Sequence, residues 1–166
     1  RLLWWSPDPR AVLPLDGFHE SRRLGRRRRS GVFRPTRDAA FPRVIAGCAV
    51  RPEGTWITRA MTEAYTRLHR LGWAHSLEVW CDDDLAGGVY GVAVGGLFAA
   101  ESMFHVRTDA SKVALAELVE HLAARGFSLL DVQFLTDHLV SLGAIEISRD
   151  AYLDRLNVEI AKSVSF

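Results

Sequence analysis

Three side chains in one stretch of this sequence have the types and spacing for proton-transfer chemistry. Asp131 and Gln133 stand two apart in LLDVQ, a run that reads as a buried strand, and Glu101 closes an earlier strand-like run from Gly96 to Glu101. Successive side chains on a strand face opposite ways, so Asp131 and Gln133 are expected to point to the same side. One amide and two carboxylates meeting at the mouth of a crevice could orient polar substrates and handle protons. No nucleophile stands out beside them. The histidines His19, His69, His75, His105, His121 and His138 show no metal-ligand spacing, and neither an HExxH nor a paired-cysteine motif occurs, so no metal is expected. On the residues alone, a purely structural role for Asp131 and Gln133 near a sheet end carries equal weight, since lone polar residues on strands are common.

The elements that must hold these groups can be traced along the chain. A basic helix is expected from His19 to Ser30, then an extended piece from Gly31 to Arg37 broken by Pro35. Pro42 suits the first turn of a helix over Arg43 to Val50. Thr58 to Leu71 carries Met61, Ala64, Tyr65, Leu68 and Leu71 at helical spacing, with Thr58 as N-cap and Gly72 as stop. Ser76–Cys81, Leu85–Val94 and Gly96–Glu101 read as strands, the first turn made by Asp82-Asp83-Asp84 and the second by Gly95. A helix from Ser111 to Arg125 ends at Gly126; Leu129 to Phe134 is a strand, Asp137–Leu142 a short helix, Ile145–Ile147 a last strand and Arg149–Leu156 a terminal helix. The order predicts a mixed α/β (α+β) fold. Residues 1–14 offer no clear starting element.

Bulk properties narrow the class. At 166 residues, 48% hydrophobic and 25% charged, the chain has the composition of a folded soluble protein and the length of one domain, or of one domain plus a fragment of another. No apolar run approaches the ~20 residues needed to span a bilayer, so no membrane association is expected. Cys48 and Cys81 are few and far apart, which favours reduced thiols and a cytoplasmic setting. The net charge is only +1, yet Arg22, Arg23, Arg26, Arg27, Arg28 and Arg29 crowd into RRLGRRRR. A local basic patch on a near-neutral body suits a polyanion docked in one place.

Several sequence words, in one order, carry a resemblance. LLWWSPDPRAVL at 2–13, EGTWITRAMTEAYTRLH at 53–69, HSLEVW at 75–80 and LAGGVYGVAVGGLF at 85–98 are followed by ESMF at 101–104 and ASKVAL at 110–115. LDVQ at 130–133 and DHLVSLGAIEISRDAYL at 137–153 complete the set. Together they resemble the leucyl/phenylalanyl-tRNA–protein transferases of bacteria. The resemblance implies an aminoacyltransferase that moves leucine, phenylalanine or, less well, methionine from its tRNA to an N-terminal arginine or lysine of acceptor proteins. It also implies that the product is marked for degradation.

In architecture the resemblance implies the remainder of a small N-terminal domain with the basic tRNA-binding segment over residues 1–40, then an acetyltransferase-like (GNAT-like) catalytic domain over 41–166. The family has a segment ahead of LLWWSPDPR, so the chain reads as a fragment. Acyl-CoA enzymes of this fold place a glycine-rich loop before the central helix; here His105 to Lys112 contains no glycine. Side chains there would block a close backbone approach to phosphates, so the fold is expected without coenzyme or other cofactor.

The resemblance also assigns roles. Asp131 and Gln133 match the catalytic pair, Asp131 polarising the Gln133 amide, and Glu101 matches the acidic residue near the acceptor or the terminal adenosine. Val89, Phe98, Leu115, Leu118, Leu122 and Leu130 match the wall of the amino-acid pocket, although such a stripe would otherwise read as core. Trp56 matches a tryptophan that stacks on the terminal adenine, and the arginines Arg22, Arg23 and Arg26 to Arg29 would meet tRNA phosphates. Trp4 and Trp5 are read as interdomain packing. The protein is expected to act as a monomer. A CoA-dependent N-acyltransferase and a non-catalytic tRNA-binding remnant are the rival readings.

Overall fold

The computed structural model describes residues 5–166. Seven strands form one sheet: β1 (Arg10–Val12), β2 (Arg34–Arg37), β3 (Ala74–Cys81), β4 (Asp84–Val94), β5 (Leu97–His105), β6 (Leu129–Gln133) and β7 (Ile145–Ile147), in the order β2-β3-β4-β5-β6-β1-β7. Every neighbouring pair is antiparallel except β5 and β6, which run parallel because the helix α4 (Ala110–Ala124) crosses between them. The other helices are α1 (Arg22–Arg29), α2 (Phe41–Ala49), α3 (Arg59–Arg70), α5 (Asp137–Val140) and α6 (Arg149–Glu159).

Local signals account for most boundaries. The hydroxyls of Ser21, Thr58, Thr136 and Ser148 each accept from a main-chain N–H in the first turn of the helix that follows, as N-caps do. Pro42 occupies the opening turn of α2, and Pro35 is tolerated because β2 is an edge strand. Asp82 and Gly95 turn β3 into β4 and β4 into β5 with φ of 54° each. A side chain at Gly95 would strike the Glu159 carbonyl oxygen at 2.3 Å, so glycine there lets the end of α6 seat on the hairpin. Several elements exceed the sequence expectation: β3 starts at Ala74 and α6 runs to Glu159. β1 is a strand where none is expected, and β5 continues to His105.

Residues on both sides of position 40 share this sheet, since β1 lies between β6 and β7 and β2 pairs with β3. One face is covered by α4, whose Val113, Leu115, Leu118, Val119 and Leu122 bury against Leu77, Val79, Val89, Phe98 and Leu130. The other face carries two smaller clusters: Phe41, Val44, Ile45 and Tyr90 under α2 and α3, and Val12, Leu97, Leu129 and Tyr152 under α6. Buried Glu78 ties β2 to the start of α2, accepting from the hydroxyls of Thr36 and Ser76 and from the amides of Ala39 and Ala40. Such a buried carboxylate is tolerable only because its acceptor positions are filled.

Cys48 and Cys81 are free thiols; burial pushes Cys48 up to about 12. Trp5 is 81% exposed, while Trp4 lies outside the described residues. Among the described residues no helix is long and apolar enough to cross a membrane.

Candidate active site

The parallel strands β5 and β6 hold register from Leu97 opposite Leu129 to Ala99 opposite Asp131, and no pairing follows. Just beyond, β5 bulges: Ala100 faces Gly91 and Ser102 faces Tyr90, leaving Glu101 as the extra residue. Bulges re-aim a side chain. Here the re-aimed Glu101 meets Gln133 across the gap, with Gln133 Nε2 donating to Glu101 Oε2 at 3.4 Å. Tyr65, reaching in from α3, sets its hydroxyl beside the same carboxylate. Burial pushes the Glu101 carboxyl above the ordinary carboxylate range, and the Asp131 charge adds to it. The Tyr65 hydroxyl, the hydrogen bond from Gln133 and the charge of Arg10 pull the other way. Tyr65 is likewise pushed up, first by its own burial and then by the Glu101 charge.

Asp131 sits deeper and is fully buried. Its Oδ1 accepts from Arg10 Nε at 3.1 Å and from the Gln133 main-chain N–H at 2.9 Å; its Oδ2 accepts from Arg10 Nη2 at 2.6 Å and from the Tyr152 hydroxyl at 2.8 Å. A carboxylate offers about four acceptor directions, so none remains for a substrate. Asp131 and Gln133 are thus joined through the main chain, where the sequence reading had Asp131 polarising the side-chain amide. Gln133 is left-handed, with φ of 65°, which ends β6 and turns its side chain toward Glu101. With Nε2 committed to Glu101, the amide oxygen is left to accept from a third group.

The six residues expected to line an amino-acid pocket (Val89, Phe98, Leu115, Leu118, Leu122 and Leu130) come together, each at most 1% exposed. They form part of the core beneath α4. Leu130 and Asp131 point to opposite faces of β6, so this cluster lies across the sheet from Asp131. A cavity of about 540 Å³ opens at the end of β5, lined among others by Arg51, Met103, Phe104, His105, Ser111 and His138. None of the six is in its lining. Met103 joins the two, since it borders the cavity and packs on the same core.

Trp56 is half exposed and lies edge-on to Tyr65, ring centroids 6.4 Å apart, so a single side chain separates it from Glu101. The arginine run divides. Arg28 is held by Glu20, Glu117 and Glu120 and its side chain is 19% exposed. The run is therefore partly balanced by acids, since Glu20 precedes it and α4 supplies two more. Arg27 lies over the Phe33 ring, and Arg23 pairs with Asp109 at 3.1 Å while staying largely exposed. Arg22, Arg26 and Arg29 face outward.

Sequence reasoning missed Arg10, Tyr65 and Tyr152. Tyr65 was legible only as an apolar helix position. Arg10 and Tyr152 lie 121 and 21 positions from Asp131, beyond any local pattern. Among the described residues no group of three or more His, Cys, Asp or Glu is arranged to hold a metal ion.

In fold the protein is similar to solved acetyltransferase structures. An aminoglycoside acetyltransferase from an uncultured soil metagenomic sample matches at a TM-score of 0.53 and 12% identity, over 78% of this chain and 88% of that one. The L-PGS structure from Bacillus licheniformis matches at 0.54 and 11%, over 78% and 48%. The fold is therefore mixed α/β and acetyltransferase-like. In sequence the likeness is far closer. A leucyl/phenylalanyl-tRNA–protein transferase from Escherichia coli O7:K1 is 55% identical over 157 residues, 94% of this chain and 67% of the relative. One of the same name from Shigella dysenteriae serotype 1 is also 55% identical over the same span. The sequence model of the leucyl/phenylalanyl-tRNA protein transferases matches residues 12–157. With nearly the whole chain covered at this identity, the protein belongs to the leucyl/phenylalanyl-tRNA protein transferase family.

Proposed function

We propose that this protein transfers leucine or phenylalanine, and methionine less well, from aminoacyl-tRNA to an N-terminal arginine or lysine of acceptor proteins, marking them for degradation. The observation that supports it most is the pairing of Glu101 and Gln133 across the gap between β5 and β6, with Trp56 one ring away. The donor ester is already activated, so the enzyme has to orient two substrates, keep the amine neutral and accept its proton.

The neutral α-amine attacks the ester carbonyl carbon and forms the C–N bond. Collapse of the tetrahedral intermediate breaks the ester C–O bond. The Gln133 amide oxygen accepts an N–H of the amine and aims its lone pair. Glu101, raised toward the working pH by burial, takes the proton the amine loses and returns it to the departing ribose oxygen. Asp131 orients Gln133 and stays out of proton transfer. Trp56 carries the terminal adenine, base–aromatic stacking contributing ~1–3 kcal/mol. The donor's apolar side chain enters where β5 and β6 part and meets Met103, whose other side packs on the core of Val89, Phe98, Leu115, Leu118, Leu122 and Leu130. Arg22, Arg23, Arg26 and Arg29 meet tRNA phosphates. A tRNA donor places the reaction in the cytoplasm.

The test is transfer of labelled leucine from Leu-tRNA to a casein-like acceptor bearing N-terminal arginine or lysine. The expected result is label in the acceptor peptide, with no acylation when acetyl-CoA replaces the tRNA. Failure to label any acceptor, or acylation from acetyl-CoA alone, would overturn the reading.

A further inference from the structure

The short strand β1 does more than extend the sheet. Its register sets Val12 opposite Asp131 and Ala11 opposite Gln133, with an irregularity between Ala11 and Val12. That placement brings the Arg10 guanidinium onto Asp131 in a two-pronged pair, side-chain exposures 14% and 0%. The guanidinium also lies over the Tyr152 ring, 4.5 Å from its centroid, while the Tyr152 hydroxyl reaches the same carboxylate. Tyr152 comes from α6, which is itself anchored to the β4–β5 hairpin through Glu159 and Gly96. Two elements far apart in sequence thus converge on one carboxylate. The one acceptor direction they leave points back at the Gln133 N–H.

That last hydrogen bond matters because Gln133 is a non-glycine residue in the left-handed region, a conformation the surroundings must hold in place. An aspartate free to rotate could not do so. We propose that Arg10 and Tyr152 are positioning residues for aminoacyl transfer: they lock the Asp131 carboxylate, and the locked carboxylate holds Gln133 left-handed so that its amide faces Glu101. This inference rests on the proposed transfer reaction. It departs from a direct catalytic role for Asp131, because all the acceptor directions of that carboxylate are taken within the fold.

The test uses the full chain in steady-state transfer of leucine from Leu-tRNA, with thermal melting of every variant. Tyr152→Phe keeps the ring under Arg10 and removes one hydrogen bond to a charged group. It should lower kcat on the order of tenfold, with KM for Leu-tRNA within about twofold, since binding groups are untouched. Arg10→Ala should lower kcat further, and added guanidinium ion should restore part of it. Should Arg10→Ala not fold, Tyr152→Phe decides alone. Folded variants with wild-type kcat, a loss confined to KM, or a folded Arg10→Ala that guanidinium leaves unchanged would each overturn the proposal. A wild-type chain that transfers no leucine instead sinks the reaction itself; an active wild type with unaffected variants sinks only the positioning roles.

Discussion

The main-chain N–H of Gln133 donates to Asp131 Oδ1 over 2.9 Å, and it is this bond, not one to the amide side chain, that couples the two residues. The coupling is conformational. Asp131 decides where the Gln133 amide is, and the amide and Glu101 face the gap where the chemistry is proposed.

Opposite stability effects are therefore expected at these neighbouring positions. Gln133→Gly relieves a left-handed side-chain residue and should stabilise the fold by about 1 kcal/mol while abolishing most transfer. Asp131→Asn leaves Arg10 facing a neutral amide and should cost roughly 3 kcal/mol as well as turnover. Chemical denaturation of both variants measures the difference. A destabilised Gln133→Gly would show that the φ of 65° carries no strain.

Glu101 gives a pH-dependent signature. Its carboxyl is raised in the fold, so its contribution supports the folded state below the ordinary glutamate value of about 4.3 and is lost as pH rises through the raised value. At neutral pH the ionised group costs stability, about 1.4 kcal/mol for each pK unit of elevation. Glu101→Gln should raise the Tm at pH 7, lose most of that gain by pH 4, and transfer leucine poorly at both. An equal gain at the two pH values would mean that ionisation is not the cause.

Salt dependence should separate the arginines. Removing one arginine–phosphate ion pair reduces the slope of log K against log salt by about 0.7–0.9. Neutralising Arg22, Arg23, Arg26 and Arg29 should flatten the tRNA-binding slope and weaken binding across tRNA sequences alike. Arg28→Gln, which breaks a cluster with Glu20, Glu117 and Glu120, should lower the Tm and leave the slope unchanged. A slope change in Arg28→Gln with none in the other four would reverse the assignment.

Trp56 is expected to carry the adenine of the donor. Trp56→Ala should weaken binding of an aminoacyl-adenosine analogue such as puromycin by roughly one to two orders of magnitude, equivalent to ~1–3 kcal/mol. Isothermal titration measures it directly, and unchanged affinity would remove the stacking role.

Much of this was written locally in the sequence. Thr58 and Ser148 cap the helices they precede, Leu77 and Val79 alternate with polar residues in the two-residue period of a strand, and the leucines of α4 repeat at helical spacing because one face must bury. Glu101, Asp131 and Gln133 stood out because they are polar residues in apolar strand-like runs. Which way a residue faces on its own element is a property of the chain's short-range geometry, and a sequence records it.

What a residue faces is not. β1 is three residues long, too short to show a period, and only its place between β6 and β7 brings Arg10 to a carboxylate 121 positions away. Tyr65 read only as an apolar helix position and Tyr152 carried no signal, until α3 and α6 set their hydroxyls beside Glu101 and on Asp131. Arg28 looked free until α4 packed beside α1 and presented Glu117 and Glu120. The alternation of a strand put Asp131 and Gln133 on one side, but the left-handed turn that aims Gln133 exists only because a buried, fully bonded aspartate is there to hold it. Long-range hydrogen bonds and ion pairs depend on sheet order and helix docking, which the burial of the whole chain decides at once, and no local pattern carries them.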